Sequence, residues 1–244
     1  MATSRTRSQY RSGIQTFYDD QQNHEVVHPM SPCRFQDDFF YKTLPTTDLW
    51  TAVDVSSVGN TTPVMVADGA NGVARMPLDA TSEAQESGLT WNDQRPLVLN
   101  QGLIFECALN LSTLPTLLSI AVWGLAGDKN AVADTVAESI WFRTEGNGVV
   151  TVECDDTTAG TTKDDIATGT TLLSTTKSIF RIDCSVIADC KFYINGARVA
   201  SGTTFNMSAV PTLALQPYFH IAKASGAGLG VMDLDKVAIW QRRS

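Results

Sequence analysis

The chain has 244 residues, 43% of them hydrophobic, and a formal net charge of −8. This length suffices for one large domain with its own core, and no apolar run approaches the roughly 18 residues that a membrane-spanning helix needs. An acidic surface repels phosphate groups, so the composition argues against nucleic acid as a partner. We therefore expect neither a nucleic-acid partner nor a membrane partner.

The first 33 residues differ from the rest of the chain. They are polar, lack a regular hydrophobic period and have no apolar core of the kind that a secretory signal needs. We predict an extended N-terminal arm over residues 1–33 and a single globular domain over residues 34–244. Arg5, Arg7 and Arg11 precede every acidic residue, so the arm begins with positive charge.

Two adjacent aromatic residues, Phe17 and Tyr18, add apolar side chains to this arm. A basic arm with aromatic side chains can become ordered against a partner chain, and we predict that it does so. The alternative is a disordered terminus with incidental arginines.

The first half of the domain contains several segments with strand patterns. Residues 64–67 and 72–78 are joined by Asp-Gly and Asn-Gly pairs, which favour a tight turn. Residues 103–111 alternate apolar and polar side chains, as a half-buried strand does. Residues 117–125 are almost continuously apolar and predict a central strand.

The second half continues this pattern. Residues 139–144 and 149–154 predict a hairpin, and residues 155–169 predict a loop that contains four aspartates. Residues 213–222 form a strand pattern that is interrupted by Pro217, which favours an edge or a bulge. Residues 231–240 predict a closing strand.

Residues 178–205 carry the clearest strand signal in the sequence. Residues 178–184 alternate with a period of two, and Asn195-Gly196 supplies the positive backbone angles of a hairpin turn. About a dozen such strands at short spacing, without a convincing helix, predict an all-β fold: a two-sheet antiparallel β-sandwich, or jelly roll.

The five cysteines are irregularly spaced and form no CxxC pair, so the sequence indicates neither a disulfide framework nor a zinc site. Cys107, Cys184 and Cys190 lie in apolar strand patterns, where we expect small buried side chains. This usage fits assembly in a reducing cytoplasm. We expect no cofactor, because no nucleotide-binding motif is present.

Part of the sequence resembles a known family. The strand and hairpin of residues 179–201, with Phe-Tyr-Ile-Asn-Gly at residues 192–196, resemble the signature of concanavalin A-like (laminin-G-like) jelly rolls. The segment LDKVAIW at residues 234–240 resembles their closing strand. The order of FQDDFF, LIFECALNL, LQPYF and LDKVAIWQRR also resembles tailed-bacteriophage virion proteins, namely capsid decoration (cement) or head-fibre proteins.

This resemblance implies a structural role on the capsid exterior of a virion assembled in the host cytoplasm. The expected partner is the major capsid protein, which the protein would bind and stabilise as a homotrimer. The arm is the expected contact, through the side chains of Arg5, Arg7, Arg11, Phe17 and Tyr18.

The sequence contains no recognisable catalytic set, so we expect that the protein is not an enzyme. Glycoside hydrolases of this jelly roll carry an E-x-D-x-E spacing on one strand, and Glu153 has no second glutamate beside it on its strand. His220 is the one histidine of the domain, so any nucleophilic triad would have to use it as the base.

Two weaker binding sites remain open. Asp155, Asp156, Asp164 and Asp165 could bind Ca²⁺ through carboxylate oxygens, although a solvated acidic loop is the simpler interpretation. Trp91, flanked by polar residues, could be an aromatic platform for a sugar. The alternative function is therefore a carbohydrate-binding, lectin-like module of a phage head or tail fibre.

Overall fold

The computed structural model describes residues 33–116, 118–146, 148–158 and 160–242, and the backbone of residues 6–11, 14–19 and 25–27. These residues contain nineteen β-strands and two short 3₁₀ helices, Leu99–Gln101 and Ala133–Thr135. Numbered in chain order, the strands are β1 Thr6–Arg11, β2 Ile14–Asp19, β3 Glu25–Val27, β4 Cys33–Asp37, β5 Thr51–Val55, β6 Val64–Met65, β7 Ala74–Leu78, β8 Gln85–Thr90, β9 Leu97–Val98, β10 Leu103–Thr113, β11 Ser119–Ala126, β12 Glu138–Glu145, β13 Val149–Asp156, β14 Lys163–Thr171, β15 Ser178–Cys184, β16 Lys191–Ile194, β17 Ala197–Val199, β18 Ala214–Lys223 and β19 Gly230–Gln241.

Two antiparallel sheets of eight strands form a sandwich, which confirms the predicted fold class. Sheet I has the order β17-β16-β15-β10-β19-β7-β6, with β4 also paired to β19. Sheet II has the order β14-β13-β12-β11-β18-β8-β5, with β9 also paired to β18. No helix in the described part of the chain is long and apolar enough to cross a membrane.

The segment 1–33 contributes β1, β2 and β3, which pair as a separate three-stranded antiparallel sheet. Arg5 lies outside the described residues, as do the side chains of Arg7, Arg11, Phe17 and Tyr18. The division into arm and domain stays a prediction, as does the contact role of these five side chains.

The core lies between the two sheets because each strand presents every second side chain inwards. On β15 of sheet I, the Phe180 ring meets Trp123 and Phe142 of sheet II edge-on at centroid distances of 4.9 and 5.0 Å. Phe192 meets Phe142 at 5.2 Å. These edge-on aromatic contacts join the two sheets. Cys107, Cys184 and Cys190 are buried in the same core, as predicted.

The Asn195-Gly196 hairpin is confirmed. Both residues have positive φ, +50° and +80°, and they connect β16 to β17. Such a turn matches the twist of the flanking strands.

Two local predictions are wrong. Pro217 was expected at an edge or a bulge, but β18 lies inside sheet II, between β11 and β8. The proline is tolerated because the pairing on this side of β18 has a gap. There, β8 pairs with Phe219–Lys223 of β18, and β9 pairs with Ala214 and Leu215 of β18. Pro217 falls in the gap between them, so its missing N–H costs no ladder bond there.

The predicted loop at residues 155–169 is also wrong in part. Residues 163–171 form β14, the edge strand of sheet II, and residues 155 and 156 still belong to β13. β14 has the sequence KDDIATGTT and contains one large apolar side chain, that of Ile166. An edge strand with one solvated side needs little hydrophobic signal, which is why the sequence pattern is weak there.

Sheet II is covered on its second face as well. Gly124 of β11 lies in register with Trp141 of β12 and Tyr218 of β18. The two rings stack above the glycine with their centroids 5.7 Å apart. A Cβ at Gly124 would lie 2.6 Å from the Ile140 carbonyl oxygen and 2.7 Å from the Trp141 Cα, so only glycine fits.

Gly124→Ala should therefore lower the free energy of unfolding by about 1–3 kcal/mol, because the added methyl group has no space between the strands. Chemical denaturation monitored by circular dichroism measures this. Gly202→Ala is the matched control: no heavy atom lies within 4 Å of its added Cβ, and the change should be under about 0.5 kcal/mol. Equal stability of both variants would contradict this account of the second face.

Candidate functional site

A pocket of about 370 Å³ opens at one end of the sandwich beside Trp91. Phe35, Trp50 and Trp91 form its apolar wall, and we call it the Trp91 pocket. Trp91 is partly buried, with its ring edge-on to Phe35 at 4.9 Å and tilted against Trp50 at 6.2 Å. The residue predicted as an exposed platform is therefore fixed in an aromatic cluster and lines a pocket.

Apart from Leu49, the remaining wall of the Trp91 pocket is polar. It contains Thr47, Asp48, Thr51, Asn92 and Gln94. Of these, the side chains of Asp48, Asn92 and Gln94 are exposed and make no hydrogen bond to another described residue. A carboxylate and two amides are thus free to bind a ligand.

Gln216 fixes the turn that carries Trp91. Its side-chain oxygen accepts hydrogen bonds from the backbone N–H groups of Trp91 and Asp93, at 2.9 and 3.2 Å. Its amide nitrogen donates to the Asp93 carboxylate at 2.8 Å and to the Gly127 carbonyl at 2.7 Å. Asn92 and Asp93 both have positive φ, which these two residue types tolerate better than most. The turn is thereby held rigidly at the pocket mouth.

The outer face of sheet II, opposite the core, carries a second group of functional side chains. Residues 127–137 cross this face, and we call them the covering loop. Ala133 and Val136 of this loop are buried against Trp141 and Tyr218. The Tyr218 hydroxyl donates to the carbonyl of Asn130 at 3.0 Å. The covering loop thereby removes much of this face from water.

Arg143 and Glu153 form a buried ion pair on the outer face. The Arg143 Nη1 lies 3.2 Å from Glu153 Oε1, and the Trp141 indole N–H donates to Glu153 Oε2 at 2.7 Å. Arg143 also pairs with Asp134 and Glu145. One guanidinium therefore serves three carboxylates, and the neighbourhood keeps an excess of negative charge.

A β-bulge adds two more carboxylates beside Glu153. Val152 pairs with residue 166 and Cys154 pairs with residue 163, so Asp164 and Asp165 both lie opposite Glu153. Ligand oxygens of Glu153, Asp164 and Asp165 lie within 4.8 Å of one another. Bulges often redirect side chains at functional sites. We call this group, with the adjoining cavity of about 90 Å³, the Glu153 pocket.

The four aspartates predicted as a calcium site divide into two pairs. Asp164 and Asp165 join Glu153, as described. Asp155 accepts the N–H of Thr157 at 2.7 Å, and the buried Asp156 accepts the N–H of Thr158 at 3.0 Å, so both stabilise the turn after β13. The three carboxylates of the Glu153 pocket are hard ligands of the kind Ca²⁺ takes. Calcium binding stays an untested alternative to a solvated acidic loop.

Burial and neighbouring charge change the protonation of Glu153. Burial raises the pKa of Glu153 to about 7, and the carboxylates of Asp164 and Asp165 add to this, whereas Trp141 and Arg143 act against it. A carboxyl group with such a pKa exists in both protonation states near neutral pH.

A third polar group lies further along the outer face. The Glu86 carboxylate lies 2.7 Å from Lys129 Nζ and 3.2 Å from His220 Nε2. The hydrogen bond from His220 and the Lys129 ammonium lower the pKa of Glu86 to about 2, and burial lowers the pKa of His220. His220 is therefore a neutral imidazole at pH 7, and Glu86 is ionised.

Sequence reasoning missed this outer face, although its signal was present. The apolar strand patterns around Trp50, Trp123 and Trp141 predict core positions for all three, but Trp141 points away from the core. Ile140 and Phe142 mark the core side of β12, so the residues between and after them must point outwards. The sequence does not show which residues of neighbouring strands lie side by side, because that depends on the pairing of β12 with β13.

No family model matches the chain, and no curated protein matches it. Solved structures resemble it in fold. The carbohydrate recognition domain of Emp47p superimposes with a TM-score of 0.54 at 10% identity, over 86% of this chain and 95% of that one. The chain has the concanavalin A-like jelly-roll fold.

Two further solved structures with this jelly roll come from enzymes. A β-1,3-glucanase from Mycobacterium marinum has a TM-score of 0.52 at 17% identity, over 84% of this chain and 97% of that one. A structure described with endo-acting O-glycanases of the human gut microbiota has a TM-score of 0.57 at 10% identity, over 86% and 99%. At such identities the likeness establishes the jelly roll alone.

The expectation that the protein is not an enzyme is corrected by these comparisons. Glycoside hydrolases are built on the same jelly roll. The expectation rested on the lack of paired carboxylates along one strand. In the structure, Glu153 gains carboxylate neighbours from the adjacent strand instead. The missing single-strand motif therefore does not exclude catalysis.

The comparisons do not indicate a phage origin. The capsid-decoration role, the homotrimer, the major capsid protein as partner and the virion location stay predictions from the sequence resemblance.

Glu153 should make stability depend on pH in a defined direction. Its folded-state pKa of about 7 exceeds the ordinary value of 4.5, so its contribution is fully present below pH 4.5 and is lost as pH rises through 7. Between pH 5 and pH 8 the wild type should lose about 1–3 kcal/mol more than Glu153→Gln does. Urea denaturation at each pH measures this.

Glu83 provides a control of opposite sign. Hydrogen bonds from the Ser56 hydroxyl, the Gln85 amide and the Gly59 N–H lower the pKa of Glu83 to about 2. Its contribution is present above pH 4.5 and is lost as pH falls through its folded-state pKa, so Glu83→Gln should lower stability at pH 7 and not at pH 2. If Glu153→Gln kept the wild-type loss from pH 5 to pH 8, the desolvation of Glu153 would be disproved.

Proposed function

We propose that this protein binds carbohydrate, in the manner of a lectin-like module, and that the Trp91 pocket is the binding site. The observation that carries the proposal is the composition of this pocket: an aromatic wall facing exposed polar side chains that have no partner in the described structure. The recognition domain of Emp47p has the same jelly roll, which supports the proposal at the level of fold.

Sugars require both parts of such a pocket. The C–H face of a pyranose ring is apolar and packs against an aromatic surface such as that of Trp91. The hydroxyl groups need donors and acceptors, which the carboxylate of Asp48 and the amides of Asn92 and Gln94 provide. A volume of about 370 Å³ accommodates a monosaccharide and part of a second ring.

The charge of the Trp91 pocket limits the classes of glycan that can bind there. Asp48 is the one charged residue among the described residues that line it, and the whole chain carries a net charge of −8. Sulfated or uronic acid sugars would be repelled, so we expect neutral glycans or glycans with an amino sugar.

A glycan array followed by calorimetry tests this proposal. The wild type should bind a neutral glycan, and Trp91→Ala should weaken binding by about tenfold or more, since a lost contact of 1.4 kcal/mol is tenfold. Gln94→Ala should also weaken binding, and because Gln94 is exposed it should leave the thermal unfolding temperature unchanged.

Phe40→Ala is the control for a non-specific aromatic effect. Phe40 is the most exposed aromatic side chain of the domain, at 75%, and does not line the pocket. Its substitution should leave binding unchanged. The proposal fails if the array shows no bound glycan, or if Phe40→Ala weakens binding as much as Trp91→Ala and Gln94→Ala do.

A second candidate function, glycoside hydrolysis, is favoured by one specific observation. Glu153 has a pKa of about 7 and lies beside the carboxylates of Asp164 and Asp165. A protonated carboxyl next to an ionised one is the pairing that cleaves glycosidic bonds. Their oxygens lie within 4.8 Å of one another, so the three carboxyl groups are close enough to act on one bond.

Reducing-end assays test this second candidate on a β-1,3-glucan and on mucin O-glycans, the substrate classes of the two hydrolase structures. If the Glu153 pocket is catalytic, hydrolysis should fall by about 100-fold or more in Glu153→Gln. Trp91→Ala should lower glycan affinity and leave a residual rate. An activity equal in Glu153→Gln and the wild type would exclude this pocket as the active site.

A further inference from the structure

A third cavity opens on the outer face of sheet II, on the other side of the covering loop from the Glu153 pocket. Its volume is about 240 Å³, the share of roughly eight water molecules in the liquid at ~30 Å³ each. We call it the His220 pocket. Its walls are mostly aliphatic, with Gln85, Glu86, His220 and Lys223 as the polar residues. The aliphatic residues include Val55, Leu118, Ile120, Val122, Val132 and Ala222.

The rim of the His220 pocket is unusually apolar for a protein surface. Val55, Leu118 and Val132 are exposed by 43%, 64% and 49%. They come from three separate segments: strand β5, the residue before β11, and the covering loop. Exposed apolar side chains that converge from different segments on one cavity mark a binding site more often than chance exposure does.

The polar groups of this pocket carry no free charge. Lys223 lines it, but its ammonium donates to the carbonyls of Asp79, Thr81 and Gly228 at 2.6, 2.7 and 3.1 Å. Glu86 is neutralised by Lys129 at 2.7 Å. A charged ligand would therefore lose its hydration without finding a counter-ion.

His220 supplies one free hydrogen-bond acceptor. It is 1% exposed, and its Nε2 faces the Glu86 carboxylate at 3.2 Å. Because an ionised carboxylate only accepts, Nε2 must carry the proton. In the neutral ring, Nδ1 is then an acceptor, and it makes no hydrogen bond with any other described residue. His220 lines the cavity, so this acceptor is available to a ligand that donates a hydrogen bond.

We propose that the His220 pocket binds a small neutral, mainly apolar molecule that donates one hydrogen bond to His220. The aliphatic walls hold the body of the ligand. The donor, a hydroxyl or an N–H group, meets the imidazole. A sugar does not fit this description, because its many hydroxyl groups would face aliphatic walls without partners.

This site is independent of the proposed carbohydrate site. Among the residues that the structure describes, none lines both the His220 pocket and the Trp91 pocket. Binding of the two ligand classes can therefore be measured and lost separately.

Fluorescence titration with N-phenyl-1-naphthylamine tests the inference on the full chain. This probe is neutral and apolar and has a single N–H donor. We expect a saturable increase in emission with one probe per chain. Its N-methyl derivative, which lacks the donor, should bind about tenfold more weakly, as the loss of one hydrogen bond predicts.

Pocket-filling variants locate the bound probe. Ala222→Phe places a ring in the cavity and should weaken binding at least tenfold. Ala197→Phe is the matched control, because Ala197 is exposed on β17 of sheet I. Val132→Trp at the rim gives a second blocking variant, should Ala222→Phe not fold. Trp91→Ala should bind the probe like the wild type.

Three outcomes would overturn the inference. One is the absence of saturable binding by the wild type. Another is equal affinity of the wild type and both blocking variants. The third is equal affinity of the two probes, which would exclude His220 as acceptor. Loss of glycan binding in Trp91→Ala with probe binding intact would leave this inference standing, whichever way the carbohydrate test falls.

Discussion

Sheet II is covered on both faces, and most of what distinguishes this jelly roll depends on that constraint. One face packs against sheet I, and the covering loop lies across the other. The loop is held by the Tyr218 hydroxyl, by the Gln216 amide and by the pairing of Asp134 with Arg143. Gly124 permits this packing, because Trp141 and Tyr218 can stack only where the strand between them has no side chain.

The covering loop removes water from the outer face of sheet II. This desolvation determines the chemistry of the side chains there. Arg143, Glu153 and His220 would be ordinary solvated groups on an open sheet. Beneath the loop each of these groups has a partner. Arg143 pairs with Glu145, Glu153 accepts a hydrogen bond from Trp141, and His220 is hydrogen-bonded to Glu86. The loop also divides the face into the Glu153 pocket and the His220 pocket, which differ in character: one is acidic, the other aliphatic.

The sequence predicted the features that depend on neighbouring residues. Alternation over residues 103–111 and 178–184 predicted β10 and β15, and Asn195-Gly196 predicted its hairpin, because strand period and turn chemistry are local. It could not show that Asp164 and Asp165 lie beside Glu153. That contact depends on the pairing register of β13 and β14 and on its bulge, which no local pattern encodes.

In the candidate site too, features set by neighbouring residues were predictable and those set by strand pairing were not. Trp91 was selected from the sequence because of its polar neighbours, and it does line a pocket. The grouping of Trp141, His220 and Glu86 on one face could not be predicted, because each belongs to a different strand and only the sheet order unites them. The same jelly roll occurs in a carbohydrate recognition domain and in a β-1,3-glucanase, so function must be decided at these pockets and not at the level of fold.

The most direct test of carbohydrate binding at the Trp91 pocket is the ¹H–¹⁵N spectrum of the five tryptophan indoles during titration with a neutral glycan. Trp123 lies in the core and Trp141 beneath the covering loop, so each indole signal reports a separate place. The account predicts that the Trp91 signal shifts progressively and that those of Trp123 and Trp141 stay fixed. A shift of Trp141 with Trp91 unchanged would contradict it and would place the glycan on the outer face of sheet II.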